Sequence, residues 1–238
     1  MISRQGIEYR FCKNENASEC IVICTGAGVH IHHNVWLQDE LAKRCSVLLY
    51  NRGGYGESKL EQPKRTLEAV NAELESLADE LELDNMILLG PSLGGYYARY
   101  YNYLHPERVK GVINIDTRIS NLYAKIEDKL SAEEKEAVAE YFAPLQLDDQ
   151  LVQSEIEEVF TMEFNQFRYH ETPVLNFYNT RYGEGLEFLS ELIVNVEKHE
   201  AEMDKNVKLV FSDVGHDIIT HDTEYFFSEV DKFLTEIR

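Results

Sequence analysis

The stretch Gly90-Pro91-Ser92-Leu93-Gly94-Gly95 constrains this chain more than any other. It follows the apolar run Met86-Ile87-Leu88-Leu89, which reads as a buried strand, and leads into Tyr96-Tyr97-Ala98-Arg99-Tyr100, which reads as a helix. Where a strand turns straight into a helix, the chain doubles back on itself and side chains near the turn collide. Gly90 and Gly94 carry no Cβ, so Ser92 between them can take a strained conformation and hold its hydroxyl outward. A fold that presents one serine at the junction of a buried strand and a helix must layer helices against a sheet.

The rest of the chain keeps that rhythm. Gly6 to Phe11 is expected to form an edge strand, Glu19 to Cys24 a buried strand, Val35 to Lys43 a helix and Ser46 to Tyr50 another buried strand. Leu67, Val70, Leu74, Leu77, Ala78 and Leu81 recur at helical spacing before the strand that carries the serine. A strand over Val109 to Ile115 ends at Asp116, Pro173 to Tyr178 and Val207 to Phe211 follow as strands, and Leu186 to Met203 and Thr223 to Ile237 as helices. Short continuous apolar strands separated by amphipathic helices imply a mainly parallel central sheet with helices on both faces. Residues 117–170 break the alternation with helical blocks at Ser131 to Phe142 and Asp149 to Thr161, and Ser131-Ala132-Glu133-Glu134 has the spacing of a capping box.

Downstream of Ser92 stand Asp116, at a strand end, and His216, after the run Val207-Lys208-Leu209-Val210-Phe211. Serine, acid, histidine is the chain order of the α/β-hydrolase triad. The Gly-Pro-Ser-Leu-Gly-Gly turn, the stretch Asn51-Arg52-Gly53-Gly54-Tyr55-Gly56-Glu57-Ser58 and Asp213-Val214-Gly215-His216 together resemble the α/β-hydrolase superfamily over nearly the whole chain except the middle insertion. The resemblance implies an α/β-hydrolase fold in a single domain over 1–238, with 117–170 inserted as a small helical lid. It also implies a serine hydrolase with a nucleophile elbow at Ser92 and His216 as the general base. The Asn51 to Ser58 stretch resembles that family's tight structural turn after the next strand, with lining of the pocket by its loop as the alternative.

A serine hydroxyl is a weak nucleophile at neutral pH, and a neutral imidazole can accept its proton and later pass it to the leaving group. The acid that orients the imidazole has two candidates. Many relatives place it after the penultimate strand, where this chain runs Asn179-Thr180-Arg181-Tyr182-Gly183-Glu184 without an Asp; some branches place it one strand earlier, where Asp116 stands. Asp116 is favoured and Glu184 is the alternative. The oxyanion hole of the family takes one backbone N–H from the residue after the nucleophile, here Leu93, and one from the loop after an earlier strand, here Ala27 in Thr25-Gly26-Ala27-Gly28. That loop departs from the His-Gly start common in relatives, but the donor is main chain.

Other chemistries fit less well. Gly26-Ala27-Gly28 resembles the start of a dinucleotide fingerprint, yet Ile31 stands at the third glycine position and the next strand ends near Asn51 rather than at an acid. No Gly-Lys-Ser/Thr ending marks a P-loop. His30, His32 and His33 are adjacent, but Asn34 and Val35 follow where a hydrolytic metal site calls for a carboxylate. No metal or organic cofactor is implied. Tyr96, Tyr97, Tyr100, Tyr101 and Tyr103 are expected to pack around the helix after the serine, and Phe142, Phe160, Phe164, Phe167 and Tyr169 to line the pocket or pack the lid onto the body.

A net charge of −20 repels nucleic acid and anionic membranes, which leaves a small-molecule substrate as the expected partner. Cys12, Cys20, Cys24 and Cys45 lack metal-type spacing and read as free thiols. Met1 to Gly6 lacks an apolar signal core, no apolar run is long enough for a bilayer, and a cytoplasmic location is expected. The sequence leaves the oligomeric state open. The resemblance implies carboxylester hydrolysis first, with amide, thioester or aminopeptidase activity on the same triad as alternatives. A non-enzymatic protein that keeps the fold to bind a small molecule is a further alternative.

Overall fold

The computed structural model describes the chain except residues 62–63, 119–121, 142–148, 203, 205 and 238. Seven strands form one sheet in the order β1-β3-β2-β4-β5-β6-β7: β1 Tyr9–Cys12, β2 Cys20–Ile23, β3 Ser46–Tyr50, β4 Met86–Pro91, β5 Val109–Ile115, β6 Val174–Asn179 and β7 Val207–Ser212. β1 runs antiparallel to β3, and every other pairing is parallel. The helices are α1 Val35–Leu41, α2 Leu67–Glu80, α3 Leu93–Leu104, α4 Leu122–Ile126, α5 Ala132–Tyr141, α6 Gln150–Thr161, α7 Phe188–Ala201, α8 Ile218–His221 and α9 Thr223–Glu236.

Strand periodicity divides the core. Ile21, Ile23, Leu49, Ile87, Leu89 and Ile113 point to the face covered by α1 and α9, against Leu37, Leu41, Phe226 and Val230. Val22, Leu48, Leu88 and Val112 point to the other face, against Leu74 and Leu77 of α2 and Ala98 and Tyr101 of α3. Burial on both faces explains why these strands are apolar at successive positions instead of alternating with polar residues. α2 opens on Thr66, whose hydroxyl accepts the Ala69 N–H at 3.2 Å.

Element boundaries differ from the sequence reading by two residues at most except at β1, which starts three residues later. β1 begins at Tyr9 because Gly6 sits in a turn at φ +83°, with its N–H bonded to the Ser3 carbonyl. α7 is shorter at both ends than the Leu186 to Met203 span, and Met203 lies outside the described residues. The short helix α4 was not expected.

Between β5 and β6 the described residues form helices and turns, with no strand among them. The capping box is formed, Ser131 N–H donating to Glu134 Oε2 at 2.8 Å and Glu134 N–H to Ser131 Oγ at 3.3 Å. Phe164 and Phe167 pack on α3, with rings 4.6 Å from Tyr96 and 5.0 Å from Tyr100. Tyr169 joins the core on the α2 and α3 side. Phe142 and the Phe160 side chain lie outside what is described.

Cys20, Cys24 and Cys45 are buried free thiols, Cys12 is half-buried and free, and burial pushes Cys20 and Cys24 up to about 12. Among the described residues no helix is long and apolar enough to cross a membrane.

Candidate active site

The parallel register brings the candidate residues to one edge of the sheet. Pro91 on β4 and Phe177 on β6 both pair with Ile115 on β5, so the residues following these strands emerge side by side. Ser92 N–H donates to the Ile115 carbonyl at 2.8 Å, and Asp116 N–H to the Phe177 carbonyl at 2.7 Å.

Ser92 stands at φ +51°, ψ −121°, between the end of β4 and the first turn of α3. That conformation is rare outside glycine and is held here by its surroundings. A Cβ on Gly94 would fall 1.8 Å from the Cys24 carbonyl oxygen, and one on Gly90 would fall 2.5 Å from Gly95. Gly94→Ala is therefore expected to destabilise the fold by about 3 kcal/mol, because backbone rather than a mobile side chain must move. A denaturant titration checks this, and an unchanged midpoint would refute the tight-turn account.

The Thr25–Gly28 loop lies beside the serine: a Cβ on Gly26 would stand 3.8 Å from Ser92 Cβ and 3.5 Å from the Pro91 carbonyl. Among the described residues the Ala27 N–H donates to no protein acceptor. Leu93, next to Ser92, is the first residue of α3, where backbone N–H groups lack helical partners and the helix dipole favours negative charge.

His216 follows β7 in a loop turned by Gly215 at φ +82°. Its Nδ1 lies 2.5 Å from Asp116 Oδ2. The side chain is 63% exposed, so a solute can reach the ring. The hydrogen bond to Asp116 raises the imidazole pKa above its ordinary 6.5, against burial and the Arg118 charge, which both lower it. Ser92 and His216 are not hydrogen-bonded to each other.

Asp116 is 5% exposed and fully engaged. Oδ1 accepts the Asn179 N–H at 3.1 Å and meets Arg118 Nη2 at 2.7 Å, while Oδ2 accepts from the Asn179 side-chain amide as well as facing His216. Arg118 also donates to the Asn179 carbonyl at 3.1 Å. Glu184 is exposed.

The family model for the alpha/beta hydrolase fold matches residues 20–206. The chain belongs to the α/β-hydrolase family. Among solved structures, this α/β hydrolase is similar to the enol-lactonase of Burkholderia xenovorans LB400, at 19% identity and TM-score 0.72 with 96% of each chain covered. It is also similar to a carboxylesterase of Nitrososphaera gargenis, at 15% identity and TM-score 0.70 with 100% of this chain and 98% of that one covered. These likenesses carry the fold. A (lyso)-N-acylphosphatidylethanolamine lipase of Mus musculus is 32% identical over 97 residues, which is 38% of this hydrolase and 27% of the lipase. The chain thus spans about a quarter of that relative's length.

Two residues around the hydrolase's Asp116 escaped the sequence reading. Asn179 drew notice only as the missing acid at the end of β6, and the signal was its place there: β6 neighbours β5, so an amide at that end can donate to a carboxylate at the end of β5. Arg118 had no signal beyond its nearness to Asp116. The His30 ring stacks on His32 and meets His33 and Tyr55 edge-on, and His32 lies tilted against His33, with ring centroids between 3.9 and 6.1 Å apart. Among the described residues no group of three His, Cys, Asp or Glu is arranged to hold a metal.

Proposed function

We propose that this α/β hydrolase cleaves a small carboxylic ester through an acyl-enzyme. Ser92 Oγ attacks the carbonyl carbon as His216 takes its proton, and the Ala27 and Leu93 amides receive the developing oxyanion. The imidazolium then protonates the leaving alcohol as the ester C–O bond breaks. Water, activated by the same imidazole, adds to the acyl carbon and releases acid and free Ser92. Asp116 holds the proton on Nδ1, leaving the other ring nitrogen free to act as base.

The observation that carries this reading is the 2.5 Å contact between His216 Nδ1 and the buried Asp116, on the same sheet edge as a serine held at positive φ. The ester class is supported by the structural relatives, a lactonase and a carboxylesterase. Thioesters and amides pass through the same tetrahedral chemistry. We read 1–238 as one catalytic domain with 117–170 as its helical lid, and four free thiols suit a reducing, cytoplasmic setting.

Intact-mass analysis after fluorophosphonate treatment, with peptide mapping, tests the nucleophile. One adduct on Ser92 is expected. No adduct on folded protein, together with ligand-dependent stabilisation in a thermal-shift screen, would instead establish a binding protein that keeps the fold.

A further inference from the structure

Beneath the Thr25–Gly28 loop lies a buried ionic cluster that the reaction scheme above does not use. Arg52, just after β3, is 1% exposed. Its Nη1 donates to the Thr25 carbonyl at 2.6 Å and to Thr25 Oγ1 at 3.0 Å, and its Nη2 to the Gly26 carbonyl at 3.1 Å. The other edge of the guanidinium meets Glu155 of α6, Nε to Oε1 at 2.9 Å and Nη2 to Oε2 at 2.8 Å. Glu155 is wholly buried. Tyr55 closes the ring, its hydroxyl donating to Glu155 Oε2 at 2.7 Å and accepting the Gly28 N–H at 3.2 Å.

The Gly26 carbonyl and the Ala27 N–H belong to one planar peptide unit and point in opposite directions. Holding that carbonyl fixes the direction of the N–H on the far side. Arg52 grips it along with the carbonyl one residue earlier, so the unit cannot rotate about either end without breaking a charged hydrogen bond. Only a planar fork can reach both carbonyls and a carboxylate at once; a lysine ammonium cannot. Burial pushes the Glu155 carboxyl up, but the Arg52 charge and the hydrogen bonds from Arg52 and Tyr55 outweigh it and hold Glu155 below its ordinary range, so it stays ionised. A buried ion pair adds little stability over well-packed apolar residues of the same volume. Its distinctive effect is on geometry.

We propose that Arg52 is a positioning residue that aims the Ala27 N–H at the oxyanion, and that Glu155, on the helix inserted between β5 and β6, holds Arg52 in that pose. The inserted segment thus governs the rate from a residue that does not touch the substrate. This rests on the assignment of Ser92 as nucleophile and Ala27 as oxyanion donor.

The test uses Arg52→Lys, Glu155→Gln and Tyr55→Phe in the full chain, with kcat and KM on a p-nitrophenyl ester and Ki for a trifluoromethyl ketone of the same acyl group. The ketone's adduct with Ser92 places an oxyanion in the hole without turnover. Losing an oxyanion donor outright costs about 100-fold or more in kcat, so misaiming one is expected to cost about tenfold in Arg52→Lys and less in Tyr55→Phe. KM should stay within about twofold, and Ki should rise by the factor that kcat/KM falls. Folded variants with wild-type kcat, or with reduced kcat but unchanged Ki, would overturn the proposal. Tyr55→Phe loses one hydroxyl only and decides the matter if the other variants do not fold. Absence of a fluorophosphonate adduct on wild-type Ser92 would remove the underlying assignment and this inference with it; labelled wild type beside unaffected variants removes this inference alone.

Discussion

Ser92→Ala is expected to lower kcat for ester hydrolysis by about a million-fold, the scale on which a triad serine matters. The substitution deletes one hydroxyl and little else. The backbone N–H that donates to the Ile115 carbonyl at 2.8 Å remains, as do the glycines that make room for the turn. Alanine at φ +51° carries much the same backbone strain as serine, since both have a Cβ. The denaturant midpoint should therefore hardly move while turnover collapses. Residual hydrolysis above the uncatalysed rate is expected, because the Ala27 and Leu93 amides can still polarise a bound carbonyl for attack by water. Steady-state assays on matched preparations, with unfolding curves alongside, separate the two effects. Turnover within tenfold of wild type would show that another group attacks the ester.

The same residues show how far the sequence could be read. The placement of Ser92 and Asp116 was legible because each follows directly on an apolar run that reads as a strand, and that of His216 because it lies in the loop after another, and parallel strands deliver their ends to one side of the sheet. The helix over 67–80 was legible from the spacing of Leu67, Val70, Leu74, Leu77 and Ala78, and the one over 150–161 as a helix-like block. What stayed hidden were contacts between distant segments. Arg52 and Glu155 are 103 positions apart, and no periodicity links a turn after β3 to a helix between β5 and β6. Asn179 registered only as the place where an acid was missing, until the adjacency of β5 and β6 showed that its amide donates to Asp116. A second carboxylate there would have repelled Asp116 instead of donating to it. The late start of β1 has a local cause, since Gly6 at positive φ turns the chain just before it, although the Glu8 carbonyl still accepts the Asn51 N–H at 2.8 Å.

Asp116→Asn is expected to lower kcat/KM by about 10,000-fold through the imidazole tautomer, with the fold preserved. The surroundings dictate how the new amide must sit. At the Oδ1 position the group faces the Asn179 N–H and the Arg118 guanidinium, both donors, so the amide oxygen goes there. The NH2 group then takes the Oδ2 position, where the Asn179 side-chain amide must turn its oxygen toward it, and donates to His216 Nδ1, where the carboxylate had accepted. The ring proton is driven to Nε2, and the nitrogen that should accept the serine proton no longer can. The pH profile carries an independent sign. On the proposed mechanism catalysis needs neutral imidazole, so wild-type kcat/KM is expected to rise as pH climbs through a His216 pKa that Asp116 holds above the ordinary 6.5. Removing the carboxylate takes away the hydrogen bond that most raises that pKa and leaves burial and the Arg118 charge, which lower it, against the smaller upward pull of Asp217, so the acid limb of the variant should shift to lower pH as its plateau falls. Glu184→Gln, on an exposed loop residue, should change neither. If Glu184→Gln were the slow variant and Asp116→Asn kept its rate and its acid limb, the orienting acid would be Glu184.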